Sequence, residues 1–259
     1  MKIFETHAHY DDVAFSEDRD FLLKQMHKEG IEYIVNIGCT MENSRSIPDF
    51  VKQYDFLYGT VGVHPEDTGS LKEQDMTELE ELSRKNKILA IGEIGLDYHY
   101  DEPSKDIQKN WFVRQLDLAK RRKLPVVIHS RDAAKDTLDI MKAEHAGQTN
   151  GVIHCFSYGV EMAREYLNMG YYIGIGGVVT FKNGRKLKEV AEYTPLNHIV
   201  LETDAPYLAP VPFRGKRNCS QYLTYVAEEI AKLKGISVEE VSAVTFENAK
   251  KLYKIHTSI

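Results

Sequence analysis

Two histidines stand two residues apart in the opening stretch ETHAHYDD, residues 5–12, beside Asp11 and Asp12. In an extended strand, residues two apart project from the same face, so His7 and His9 would aim at one target. Other apolar runs end in single histidines: His64 in VGVHP, His129 in VVIHSRD and His154 in VIHCFS. Glu93 in IGEIGLDYH and Asp204 in LETDAPYL add carboxylates. One histidine at a strand end is more often structural than a ligand. Here five of the chain's ten fall at such ends, whereas His27, His145, His198 and His256 lie in helical or loop contexts. Imidazoles and carboxylates that converge make a site for Zn²⁺, Mn²⁺ or a similar divalent ion. His7, His9, Glu93, His129, His154 and Asp204 exceed the three protein ligands that one catalytic zinc needs. Two ions about 3.5–4 Å apart would use the surplus, and Glu93, the carboxylate in the middle of the set, is the expected bridge.

Something must bring these side chains together. Short β-branched runs (KIFET, YIVNIG, LYGTVGV, ILAIGE, LPVVIH, GVIHC, YYIGIGG and HIVLET) alternate with longer amphipathic stretches. SEDRDFLLKQMHKEG reads as a helix capped by Ser16 and stopped by Gly30. EPSKDIQKNWFVRQLDLAKRRK reads as another, with Pro103 in its first turn and Phe112, Leu116 and Ala119 at helical spacing. Ser237 and Glu240 offer a capping box. Eight such strands imply a parallel α/β sheet closed into a single (β/α)8 TIM barrel over residues 1–259, with its functional groups at the C-terminal ends of the strands. An open doubly wound sheet is the alternative, but no GxGxxG follows the first strand.

Composition narrows the function classes. No apolar run reaches the ~20 residues of a membrane helix, and the N-terminus lacks the pattern of a secretory signal. Cys39, Cys155 and Cys219 are odd in number and widely spaced, which fits reduced thiols in the cytoplasm. The formal net charge of −6 gives no global field for nucleic acid. Basic clusters are local: KRRK at 120–123, which suits a helix C-terminus, KNGRKLK at 182–188, and RGKR at 214–217 in a loop.

The motifs ETHAHYDD, GVHPED, IGEIGLDYHY, PVVIHSRDA, GVIHCFS, LETDAPYLAPVPFRGKRN and TFENAKKLY follow one another from residue 5 to residue 253. In this order they resemble the TatD family of metal-dependent deoxyribonucleases, within the amidohydrolase superfamily. The resemblance implies that His7, His9, Glu93 and Asp204 hold one ion while Glu93, His129 and His154 hold the other. His64 is expected beside the metals or the substrate phosphate. It also implies 3′-to-5′ hydrolysis of single-stranded DNA, or of RNA, with two divalent ions of the Mg²⁺, Mn²⁺ or Zn²⁺ kind. Glu5 stands where the family usually has aspartate, and Cys219 and Ser220 replace a glutamate or threonine followed by proline. The first position reads as a supporting residue, and the second puts fine specificity in question.

The expected mechanism is attack on phosphorus by a metal-bridging hydroxide, with Asp204 accepting or relaying its proton. Glu202 would orient a ligand histidine or form a buried salt bridge. Arg131 reads equally as a phosphate contact or as a partner of Asp132. Arg214, Arg217 and Asn218 follow the eighth strand, where barrel phosphate sites are common, and compete with a solvated loop. Tyr98, with His99, offers stacking for an unpaired base or packing beneath its loop. DNA, mainly single-stranded, is the expected partner, with no membrane and no obligate protein. Two other functions use the same residues. One is an amidohydrolase or esterase acting on a small molecule or an aminoacyl-tRNA ester. The other is a non-catalytic metal-bound scaffold.

Overall fold

The computed structural model describes residues 1–255, so His256 lies outside the described residues. In chain order the strands are β1 (Ile3–Ala8), β2 (Ile31–Asn36), β3 (Leu57–Val61), β4 (Ile88–Asp97), β5 (Val126–Arg131), β6 (Gly151–Ile153), β7 (Tyr172–Ile175) and β8 (Ile199–Leu201). The helices are α1 (Arg19–Lys28), α2 (Met41–Val51), α3 (Glu73–Leu82), α4 (Lys105–Arg122), α5 (Ala134–Ala143), α6 (Val160–Asn168), α7 (Arg185–Tyr193), α8 (Leu223–Lys234) and α9 (Val238–Tyr253). The strands follow one another from β1 to β8 in one sheet, the order of a (β/α)8 barrel. The pairs β1–β2, β3–β4, β4–β5, β5–β6 and β7–β8 are parallel. All eight strands expected from the apolar runs are present. Several of these runs are near-continuously apolar, as buried parallel strands require.

Contacts group the residues into two compact units. The first comprises, of the described residues, 1–36, 155–167 and 172–255. Its β1 is buried along its whole length. Phe4 packs against Tyr253 and Phe246 of α9, with ring centroids 6.0 and 6.1 Å away, and the Tyr253 hydroxyl donates to the Thr6 carbonyl at 2.8 Å. The second unit comprises residues 37–154 and 168–171. Ile91, Ile94, Val127 and Ile128 of β4 and β5 are inaccessible to solvent, as are Phe112 and Ala119 of α4.

Several boundaries differ from the sequence expectation. Ser16 does not cap α1; Asp18 occupies that position, and Ser16 Oγ instead donates to the Val13 carbonyl of a short 3-10 turn capped by Asp12. The helix ends at Lys28, and Gly30 follows it with φ +104°, a conformation that glycine adopts without strain. Pro103 lies before α4, where its carbonyl accepts from Gln108 Nε2 at 2.9 Å, and Ser104 is the N-cap. Ser237 caps α9 through the Glu240 amide. KRRK closes α4 as expected, with Lys123 in left-handed backbone. Strand β4 runs to Asp97, so Glu93 sits within the strand rather than at its end.

Candidate metal centre

In the first unit, the end of β1 and the segment after β8 are stitched together. The Asp204 amide donates to the His7 carbonyl at 2.9 Å and the His9 amide to the Ala205 carbonyl at 2.8 Å. Asp204 has φ +58°, in the left-handed region that aspartate tolerates better than most residues. The result is a tight donor group. His7 Nε2 and His9 Nε2 are 3.3 Å apart, and Asp204 Oδ1 lies 3.2 Å from His9 Nε2 and 3.6 Å from His7 Nε2. His7 is buried, while His9 and Asp204 retain some exposure.

Glu5 fixes this geometry from behind. Its fully buried carboxylate accepts from the His7 amide (3.0 Å), the Thr203 amide (2.9 Å), the Thr203 hydroxyl (2.6 Å) and the Ser220 hydroxyl (2.9 Å). Burial pushes its pKa up to about 7, and these hydrogen bonds oppose the rise only in part. Ser220, one of the two departures from the family pattern, is therefore part of the support for β1. Glu202 is buried as well, and its Oε1 accepts from the Cys155 amide at 2.5 Å.

In the second unit a second donor group forms around Glu93. Its Oε1 lies 2.8 Å from His129 Nδ1, 3.7 Å from His154 Nε2 and 3.8 Å from His64 Nε2. The His64 and His129 rings are 4.3 Å apart, edge to face. The second His129 nitrogen, Nε2, faces Asp97 Oδ2 at 2.9 Å. Burial pulls the His129 pKa down, yet the bonds to Asp97 and Glu93 outweigh it and lift it to about 9. Burial and the neighbouring His129 push His64 down to about 3. A metal ion here would have to displace the proton that Asp97 and Glu93 favour on His129, whereas His64 already offers a neutral imidazole. Asp97 turns the ring of His129 in the way that carboxylates hold ligand histidines.

Asp97 escaped the sequence reading although it lies four residues beyond Glu93 on one strand face, a visible signal. Gly95 between them allows the approach, because a side chain there would collide with the His129 carbonyl. Tyr207 was missed too: its half-exposed ring sits 6.5 Å from that of His9, and its hydroxyl donates to Asp12 Oδ2 at 3.4 Å.

The residues expected at the substrate fare unevenly. Asn218 is a correction: its amide is buried and engaged by the Thr203 and Tyr207 carbonyls and the Cys219 amide, so it braces the loop and has no face for a ligand. Arg217 lies in the exposed loop, where it is clasped by Asp18, by the Ala14 carbonyl at 2.7 Å and by the ring of Phe15 at 4.8 Å. Arg214 is exposed, with its guanidinium 4.4 Å from the Phe181 ring centroid. Arg131 is exposed and lies 5.9 Å over Tyr100, while Asp132 pairs with His99 at 3.5 Å. Tyr98 donates to Asp136 at 2.8 Å and carries the Lys105 ammonium 4.4 Å over its ring, so one stacking face is taken.

Residues 4–254 match the model of the family described as TatD related DNase. This chain belongs to that family. It is 43% identical to a Bacillus subtilis protein named as the uncharacterized metal-dependent hydrolase YabD, over 98% of this chain and 100% of the relative. The uncharacterized metal-dependent hydrolase YcfH of Escherichia coli K12 is 35% identical, over 100% of this chain and 98% of its own length. Among solved structures, the TatD homolog YjjV of Escherichia coli superposes with a TM-score of 0.92 at 29% identity, covering 98% of each chain. The motifs that carried the sequence resemblance thus lie on a TatD-type barrel. No helix among the described residues is long and apolar enough to cross a membrane.

Proposed function

We propose that this metal-dependent hydrolase of the TatD family is a phosphodiesterase, acting as a 3′-to-5′ exonuclease on single-stranded DNA and, by the same chemistry, on RNA. The observation that carries the reading is the pair of imidazole–carboxylate groups, His7–His9–Asp204 at and just past the ends of β1 and β8, and His64–Glu93–His129 with His154, in which Glu93 and His129 project from within β4 and β5. We assign one divalent ion of the Mg²⁺, Mn²⁺ or Zn²⁺ kind to each group. Bound there, such ions lower the pKa of water and offset the charge gathering on a phosphoryl group. Asp204, partly exposed beside His9, is the base we assign to the attacking water. Asp97 and Glu5 hold His129 and His7 in place, and Glu202 holds the backbone at Cys155. Arg214 and Arg131 are the exposed cations we assign to the phosphate chain. We take the three cysteines, present as thiols, to fit a cytoplasmic setting.

End-labelled single-stranded DNA incubated with metal-loaded protein, with and without chelator, tests this. A ladder shortening from the 3′ end that chelator abolishes supports it; intact DNA with every metal tried overturns it. A second reading, ester or amide hydrolysis of a less charged substrate, gains from the pairing of Arg217 with Asp18 and the engagement of Asn218, which leave fewer groups for phosphate. Turnover of an aminoacyl ester in the absence of nuclease activity would select it. Turnover equal in wild type and Asp204→Asn, with metal bound in both, would select the scaffold.

A further inference from the structure

The basic stretch at 182–188 plays no part in the metal groups, yet it borders a cavity of about 300 Å³ inside the first unit. Phe156, Val178, Leu187 and Leu208 supply apolar walls, and exposed Asn183, buried Glu202 and partly exposed Asp204 are among the polar residues that line it. Close backbone packing shapes these walls. A Cβ on Gly177 would strike the Leu208 carbonyl, and one on Gly184 would come within 2.5 Å of the Val178 carbonyl, so only glycine lets these segments close on each other. Pockets for small molecules combine such walls with a few polar groups.

Resting on the phosphodiesterase reading, we propose that this cavity is a subsite for one unstacked nucleobase of the substrate. A base has two apolar faces and an edge of donors and acceptors. The walls match the faces, and the Asn183 carboxamide, which has both donor and acceptor, matches the edge. Exposed Lys186 lies beside it for the neighbouring phosphate. The volume is at the low end of ligand pockets, enough for one ring system and its sugar, and a stacked base pair does not enter. Selection for a splayed base therefore follows from size, and a frayed or single-stranded end is the nucleic acid that presents one at the least unstacking cost.

The test is binding, so it stands apart from turnover. Calorimetry on the metal-loaded protein would compare adenosine 5′-monophosphate, ribose 5-phosphate and butyl phosphate. We expect the nucleotide to bind at least tenfold more tightly than either base-free phosphate. Val178→Trp, which fills the cavity, should erase that preference and leave ribose 5-phosphate unchanged; Asn183→Ala, at an exposed position, should reduce it severalfold. Equal affinities for nucleotide and ribose 5-phosphate overturn the proposal, as does a nucleotide preference that survives both variants. Butyl phosphate binding as well as the nucleotide also overturns it, since that marks a greasy pocket without base recognition. Should Val178→Trp fail to fold, the ligand comparison in wild type and Asn183→Ala still decides. A base preference in a protein that leaves all DNA intact removes the nuclease reading and keeps the subsite.

Discussion

Replacing Glu5 gives a quantitative test of how β1 is held against the segment after β8. Two of its four donors, the His7 and Thr203 amides, have fixed directions; the Thr203 and Ser220 hydroxyls can turn elsewhere, Ser220 toward the Tyr10 hydroxyl 2.8 Å away. Glu5→Ala orphans the two buried amides at about 1–3 kcal/mol each, less the relief of no longer burying a carboxyl group. The net loss is about 2–4 kcal/mol, or roughly 5–15 °C in Tm for a chain of this size. Glu5→Gln keeps a carbonyl for both amides and presents its NH₂ to hydroxyls that can accept, so near pH 4.5, where Glu5 is still protonated in the folded state, it should cost under about 1 kcal/mol. The two variants also differ from wild type in pH response. With a folded pKa of about 7 against 4.5 when unfolded, Glu5 keeps its proton longer in the native state. Wild-type stability therefore falls as pH rises from 4.5 to 7, by about 3 kcal/mol from this group. Urea melts of metal-free wild type and Glu5→Gln between pH 4 and 8 should show their difference growing across that window and flat beyond it. Parallel curves, or a Glu5→Ala variant as stable as Glu5→Gln, would refute the account.

Other outcomes follow from the same geometry. Asp97→Asn should weaken metal binding roughly 10–100-fold with little change in fold, read by competition with a fluorescent chelator. Asn218→Ala, by orphaning buried carbonyls, should cost about 2–3 kcal/mol in chemical denaturation and leave the KM for DNA near wild type once folded. Arg217→Ala breaks an exposed ion pair and should change stability by under about 1 kcal/mol, whereas Arg214→Ala should raise KM and flatten its dependence on salt. Metal titration of the apoprotein by calorimetry should reach two equivalents; saturation at one would contradict the two-ion assignment.

The strands and the donor residues were legible because both rest on local rules. Apolar runs mark buried strands, and a period of two places His7 and His9 on one face. Asp97 was legible by the same rule but was hidden by the expectation that β4 ends at Glu93. What the sequence concealed is long-range. Nothing near Arg217 announces Asp18, 199 positions away, and nothing near Asn218 announces that its amide closes on the Thr203 carbonyl. The cap of α1 was misplaced because Asp12, Ser16 and Asp18 all compete for one helix start, and only the 3-10 turn at Val13–Phe15 decides among them.

The stitching of His7 and His9 to Asp204 and Ala205 has a consequence for biosynthesis. The histidines leave the ribosome well ahead of their carboxylate companion, which is nearly two hundred positions behind. At ordinary elongation speeds that is a wait on the order of ten to forty seconds. A nascent or prematurely terminated chain lacking the region around Asp204 has only part of the donor group, so metal capture by the proposed set His7, His9 and Asp204 would report that translation has passed the eighth strand.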